Sequence, residues 1–204
     1  MILVLASQSP ARLQTLRSAG VEPVAIVSGV DESQLVNLPP AELALQLAEL
    51  KCGAVATRGE LPSGALVLGC DSVLELDGEA LGKPYDADDA VRRWQSMRGR
   101  VGVLHTGHSL RDTATGHVAA ATGSTRVHFA HLSDEEIAAY VATGEPLHVA
   151  GAFTIDGLGG PFVSRIEGDH HNVVGLSLPL LRELVRELGH AWPSLWAGSA
   201  GSAR

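Results

Sequence analysis

Short apolar, β-branched runs alternate along this chain with stretches whose apolar residues recur every three to four positions, and a chain patterned this way folds as an α/β protein. "ILVLA" (2–6), "PVAIV" (23–27) and "ALVLG" (65–69) read as buried strands. Between the last two, Leu43, Leu47, Leu50 and Ala54 recur at helical spacing after Pro39-Pro40, which predicts a helix over 40–57. Asp77-Gly78 marks a hairpin turn between "VLEL" and "EAL". A polar helix is expected at about 86–97, an alternating strand over 100–110 and another near 124–130. Ser133 and Glu136 form a capping box for the helix "SDEEIAAYVATG", and a last amphipathic helix spans 178–188. With no internal repeat and no Pro/Gly-rich linker, residues 1–189 read as one domain. The small, Gly/Ser-rich segment 190–204 reads as a disordered tail.

Composition narrows the function. The 204 residues are 45% hydrophobic, enough for a buried core. Fifteen Lys+Arg against 23 Asp+Glu give a net charge of -8, which argues against nonspecific binding to a nucleic-acid backbone or an anionic membrane. Only two cysteines occur, Cys52 and Cys70, and no apolar run is long enough to cross a bilayer, so a cytoplasmic protein is expected.

One local feature breaks its own rule. In "LASQSPARLQTLRSAG" (5–20), Ser9 is a good N-cap and Pro10 takes the first helical position, where proline is preferred. The third helical position, suited to Glu or Gln, carries Arg12. A cation there opposes the helix dipole unless an anion stands in front of it. Ser7 and Ser9 bracket the turn where an α/β protein commonly receives phosphate, and a guanidinium beside two hydroxyls suits a multiply charged one. The ordinary reading, a capped turn, competes with this.

Other polar residues interrupt apolar context. Asp71 ends the run "ALVLGC", where open α/β sheets place their ligand crevice. Asp31-Glu32 follows another strand, Lys51 lies late in the 40–57 helix, and Lys83 stands between a glycine and a proline. Singly, each has a bland explanation as a turn aspartate, a solvated loop, a dipole-matched cation or a surface lysine. Together they describe carboxylates for a hard divalent cation and cations for phosphate oxygens, the combination that phosphoryl transfer requires. GxxxxGK[ST] is absent and no GxGxxG follows a strand, which removes the P-loop and dinucleotide fingerprints. "GDHH" (168–171), His105 and His108 lack the spacing of a transition-metal site, and Cys52 reads as a small buried filler.

"LASQSPAR", "VDES", "LAELKCGAVA", "GCDSVLELDGEALGKP", "LSDEEIAAYV" and "GAFTIDGLGGPFVSRIEGDHHNVVGL" follow in the order and spacing of the Maf family, the septum-formation-like nucleotide pyrophosphatases, which the chain resembles from about Leu3 to Gly189. The resemblance implies a two-lobed, mixed-sheet α/β fold similar to inosine-triphosphatase-type pyrophosphatases, with a cleft between the lobes. It implies hydrolysis of a nucleoside triphosphate to the monophosphate and pyrophosphate, a divalent cation (Mg2+ or Mn2+), a cytoplasmic protein and a possible homodimer. By position, Ser7, Ser9 and Arg12 match the phosphate loop, Lys51 and Lys83 the two phosphate-binding lysines, Glu32 and Asp71 the metal-binding acids, and Asp71 also the catalytic base. The alternative is a nucleotide-binding regulator of cell division or shape without turnover.

Three positions depart from the family's branches. The branch resembling dTTP/UTP enzymes has arginine, threonine and glutamine where this chain has Ala11, Ser72 and Asp156, and the branch resembling 7-methyl-GTP enzymes has tryptophan, glutamine and glutamate. The three are expected to line the base pocket, and the base itself stays open.

Overall fold

Residues 1–35, 37–59 and 61–197 are described by a computed structural model. Strand β1 (Leu3–Leu5) leads into helix α1 (Pro10–Ser18), followed by β2 (Val24–Ala25), α2 (Pro40–Ala56), β3 (Leu66–Leu76), β4 (Glu79–Leu81) and α3 (Ala87–Met97). The chain continues through β5 (Val101–Asp112), β6 (Val118–Phe129), α4 (Asp134–Ala142), β7 (Val163–Glu167), α5 (His170–Val174) and α6 (Leu178–Glu187). The strands form one mixed sheet in the order β2-β1-β3-β5-β6-β7, with β4 also paired to β3. β1 is parallel to both its neighbours, and the remaining pairs are antiparallel.

Alternation along the long strands packs both faces of one end of the sheet as a first core. Leu66, Leu68 and Cys70 of β3 point with Leu3, Leu5 and Leu110 toward Leu181 and Leu184 of α6, while Val67 points the other way with Val4 toward Cys52 and Val55 of α2. α2 lies so close to the sheet that a Cβ on Gly69 would sit 2.1 Å from the Ala48 carbonyl oxygen, and one on Gly107 2.2 Å from that of Ala44. Only glycine permits that approach. Farther along the same strands, Leu74, Leu104, Val127 and Phe129 turn to a second core centred on Trp94. Its indole packs edge-on against Phe129, Tyr140 and Phe162 at centroid distances of 5.6–5.8 Å, and its Nε1 donates to the Ala152 carbonyl at 2.8 Å. The lobes therefore share β3, β5 and β6, and Asp71 and Ser72 lie between the two cores.

The same strand carries a break at its edge. β1 pairs with β3 as far as Leu68 and β4 pairs from Leu74, so among the described residues Gly69–Val73 has a paired strand only on the β5 side. The gap is bounded by the turn after β1 at one end and the turn after β4 at the other. Asp77 and Gly78, with φ of 56° and 83°, make the tight hairpin that returns β4 along β3.

The α/β expectation is met, and the helices fall within a residue or two of their expected bounds. Several details differ. β6 begins at Val118 rather than near 124, because its first half, "VAAATG", has little β-propensity and is held by pairing with β5. β7 and α5 were not expected from the sequence. The tail expected to be disordered from 190 is ordered through 197: Trp192–Leu195 forms a 3-10 turn, Leu195 is 3% exposed, and the Ala197 amide donates to the Gly20 carbonyl at 2.9 Å. A few apolar anchors outweigh a Gly/Ser-rich composition here. Residues 198–204 lie outside the described residues.

Trp94 is fully buried, so Trp94→Ala is expected to lower the unfolding free energy by about 3–5 kcal/mol. Urea denaturation followed by far-UV circular dichroism measures it.

Candidate active site

The turn after β1 places Ser7, Ser9 and Arg12 at one end of the gap. Ser9 caps α1, its Oγ accepting from the Arg12 amide at 3.5 Å, and Pro10 occupies the first turn. Ser7 Oγ accepts from the Ser9 amide at 3.1 Å. The Arg12 side chain folds inward rather than out to solvent: Nε donates to the Gly175 carbonyl at 2.7 Å, Nη2 to Ser72 Oγ at 3.0 Å and Nη1 to Ser7 Oγ at 3.4 Å. Arg12 is only 9% exposed, and all three acceptors are neutral. Among the described residues it forms no ion pair.

A second group lies on the α2 face of β3, since successive residues of a strand point to opposite faces. Lys51 of α2 donates to Asp71 Oδ1 at 2.5 Å and pairs with Glu32 Oε1 at 2.7 Å. Glu32 opens a 3-10 turn (Glu32–Gln34) capped by Asp31, whose carboxylate accepts from the Ser33 amide at 3.0 Å. Two carboxylates thus converge on one ammonium. Lys83 stands at the other end of the gap, exposed and without a partner among the described residues. Its neighbours fix it: Pro84 is buried, and the Gly82 carbonyl accepts from Arg93 Nη1 at 2.6 Å and the Gly151 amide at 3.1 Å.

The expected site residues therefore fall into two bonded groups, Ser7–Ser9–Arg12–Ser72 and Glu32–Lys51–Asp71, on opposite faces of β3, with Lys83 across the gap. Ala11 and Asp156 join neither group. Ala11 is half-buried on α1, in one lobe, while Asp156 is exposed in the other, on a loop held by Glu145. The Glu145 carboxylate accepts from Tyr140 Oη at 2.9 Å, Thr154 Oγ1 at 2.5 Å and the amides of Leu158 and Gly159 at 3.0 and 3.1 Å. Ser72 bonds to Arg12 and Thr106, on the phosphate-loop side.

Sequence reasoning missed Thr106, Asn172, Gly175 and His108, which back Arg12 from β5 and the α5–α6 corner. Of these only the glycine, just past the short helix α5, carries a local signal as a helix stop. Both cysteines are buried, as expected of Cys52, and burial pushes the Cys70 thiol up to about 12. Two surface concavities of about 570 and 560 Å³ lie on the outer face of α2 and beside α6. None of Ser7, Arg12, Lys51, Asp71 or Lys83 lines either one. Placement of charge, rather than size of hollow, marks the site.

Among the described residues no three or more His, Cys, Asp or Glu side chains gather as a metal cage. Glu32 and Asp71 still suit a hard cation such as Mg2+, which binds through one or two carboxylates and completes its shell with phosphates and water.

Fold and site together define an α/β protein with a cationic site at a break in its sheet edge. A family profile described as Maf-like protein matches residues 2–188, and the chain belongs to that family. It is 62% identical over 195 residues to a nucleoside triphosphate pyrophosphatase of Streptomyces coelicolor, covering 96% of this chain and 94% of that one. It is 52% identical to the protein of the same description from Cutibacterium acnes, covering 97% and 96%. Among solved structures, the Ham1 protein of Staphylococcus aureus matches with a TM-score of 0.44 at 17% identity, over 64% of this chain and 72% of that one.

The corner behind Arg12 carries a pH dependence. Burial, opposed by the bond from Nδ1 to the Thr106 carbonyl, lowers the His108 imidazole from 6.5 to about 4, and its Nε2 accepts from the Ser177 amide at 2.9 Å. A folded value below the unfolded one means that the stability His108 contributes is complete above about pH 6.5 and is lost as pH falls toward 4. The loss from this group is expected to approach about 3 kcal/mol. Urea midpoints between pH 7 and 4 should fall less steeply in His108→Gln than in the unmodified protein.

Proposed function

We propose that this chain hydrolyses a nucleoside triphosphate to the nucleoside monophosphate and pyrophosphate, with the triphosphate held across the gap beside β3. The observation that carries this reading is Arg12, a buried guanidinium with neutral acceptors only. A charge kept out of water is costly unless paired, and a bound phosphate supplies the pair. The reading agrees with the activity named for relatives at 62% identity, and so sets aside the regulator without turnover.

In the proposed mechanism, Arg12, Ser7, Ser9 and the Ala11 amide at the start of α1 bind phosphate oxygens from one end of the gap. Lys83 binds from the other, and Lys51 turns from its carboxylate partners toward the substrate. Asp71 takes a proton from the water that attacks the α-phosphorus, the bond from that phosphorus to the bridging oxygen breaks, and pyrophosphate leaves with its charge neutralised by the cations. Glu32 and Asp71 would hold a divalent cation, Mg2+ or Mn2+, which when bound neutralises phosphate charge and lowers the pKa of its water. At the base end, Ala11 offers no bulky contact and Asp156 only acceptors, which suits bases presenting an amino or imino donor, such as guanine or cytosine. A cytoplasmic protein acting on free nucleotides, with a second copy as its possible partner and neither nucleic acid nor membrane involved, completes the proposal. No helix among the described residues is long and apolar enough to cross a membrane.

Pyrophosphate release from a panel of canonical and modified triphosphates with Mg2+ or Mn2+ tests the reaction. Asp71→Asn is expected to lower kcat by about a hundredfold or more with KM little changed. A kcat within a few-fold of the unmodified enzyme would remove Asp71 from the chemistry. The double change Ala11→Arg with Asp156→Gln is expected to move preference toward dTTP and UTP, measured as kcat/KM against CTP and GTP. An unchanged ranking would take both residues out of the base pocket.

A further inference from the structure

Arg12, Ser72, Thr106 and Asn172 come from four elements, α1, β3, β5 and α5, and one directed chain of hydrogen bonds runs through them. Thr106 Oγ1 donates to the Asn172 carbonyl at 3.0 Å. A hydroxyl has one proton, so across the 2.9 Å contact between Ser72 Oγ and Thr106 Oγ1 the donor is Ser72. With its proton spent, Ser72 presents only lone pairs, and one of them accepts Arg12 Nη2 at 3.0 Å. The far end is anchored as well: Asn172 Nδ2 donates to the Leu104 carbonyl at 3.1 Å and to Thr125 Oγ1 at 3.2 Å. Thr106 is 0% exposed and Asn172 1%, so no competing water reaches the middle of the chain.

The effect falls on the guanidinium. Nε is held by the Gly175 carbonyl at 2.7 Å and Nη2 by Ser72, whereas Nη1 has only its long 3.4 Å contact with Ser7 Oγ. Two donors of a planar fork are fixed, and the plane of the third is fixed with them.

We propose that Ser72 and Thr106 are positioning residues that lock the Arg12 guanidinium with its Nη1 edge toward the triphosphate. Ser72 then acts on the phosphate end of the substrate rather than reading the base. This rests on the reading that Arg12 holds the triphosphate, and it takes position 72 out of the set expected to recognise the base.

The test uses inorganic tripolyphosphate, which has no base, as a competitive inhibitor, alongside KM and kcat for dTTP, UTP, CTP and GTP. Ser72→Ala and Thr106→Val are each expected to weaken tripolyphosphate inhibition by about tenfold and to raise KM for all four nucleotides by the same factor, with the ranking of bases unchanged. Ser72→Thr, which keeps the hydroxyl, should restore both. In an Arg12→Ala background neither change should have a further effect, because all act through one group. Thr106→Val is buried, so if it does not fold, Ser72→Ala carries the test alone. Unchanged tripolyphosphate inhibition in Ser72→Ala with a reordered nucleotide ranking would overturn the proposal. Unchanged inhibition in Arg12→Ala itself would place the failure in the underlying reading of Arg12.

Discussion

The site depends on a positive charge that is buried with no balancing carboxylate among the described residues. Arg12 is anchored by a carbonyl and two hydroxyls, which satisfy its geometry and leave its charge in place. Such an arrangement costs stability in the free protein. It holds because the anchors come from three well-packed places: the turn after β1, the middle of β3 and the α5–α6 corner. The cations on the other side differ in kind. Lys51 is already paired with Asp71 and Glu32, and Lys83 is exposed.

Two lobes on one sheet make that site possible. Their cores lie at opposite ends of β3, β5 and β6, and the residues between them are released from packing duty. At that midpoint, among the described residues, β3 also has no paired strand on its outer edge. Asp71 and Ser72 are neighbours in sequence and serve opposite faces, which is a direct consequence of strand pleating. The glycines under α2 let the helix that carries Lys51 sit close enough for its ammonium to meet Asp71.

Much of this was legible in the sequence, for identifiable reasons. Helices α2, α4 and α6 carry strong periodicity or capping signals, and Arg12 stood out because it occupied a position that normally takes Glu or Gln. The first half of β6 and all of β7 depend on pairing with distant strands, which local propensity does not report. The ordered segment 192–197 rests on Leu195 and Trp196 meeting the start of the chain, a long-range contact hidden by a Gly/Ser-rich composition. The backing residues Thr106 and Asn172 are ordinary polar residues in sequence, and only the register of β5 against β3 brings Thr106 opposite Ser72. The family motifs pointed to Ser7, Ser9, Arg12, Lys51, Asp71 and Lys83, which the fold brings around one gap beside β3. They grouped Ser72 with Ala11 and Asp156, whereas hydrogen bonding groups it with Arg12.

The most direct measurement is the rise in melting temperature that nucleoside triphosphate produces, compared between the unmodified protein and Arg12→Met at saturating Mg2+. A ligand that binds only the folded state raises stability according to its affinity, so the shift reads binding without requiring turnover. The expected result is a clear rise in the unmodified protein that is lost in Arg12→Met, whatever the starting melting temperature of the variant. An equal rise in both proteins would show that the buried guanidinium is not the triphosphate's partner.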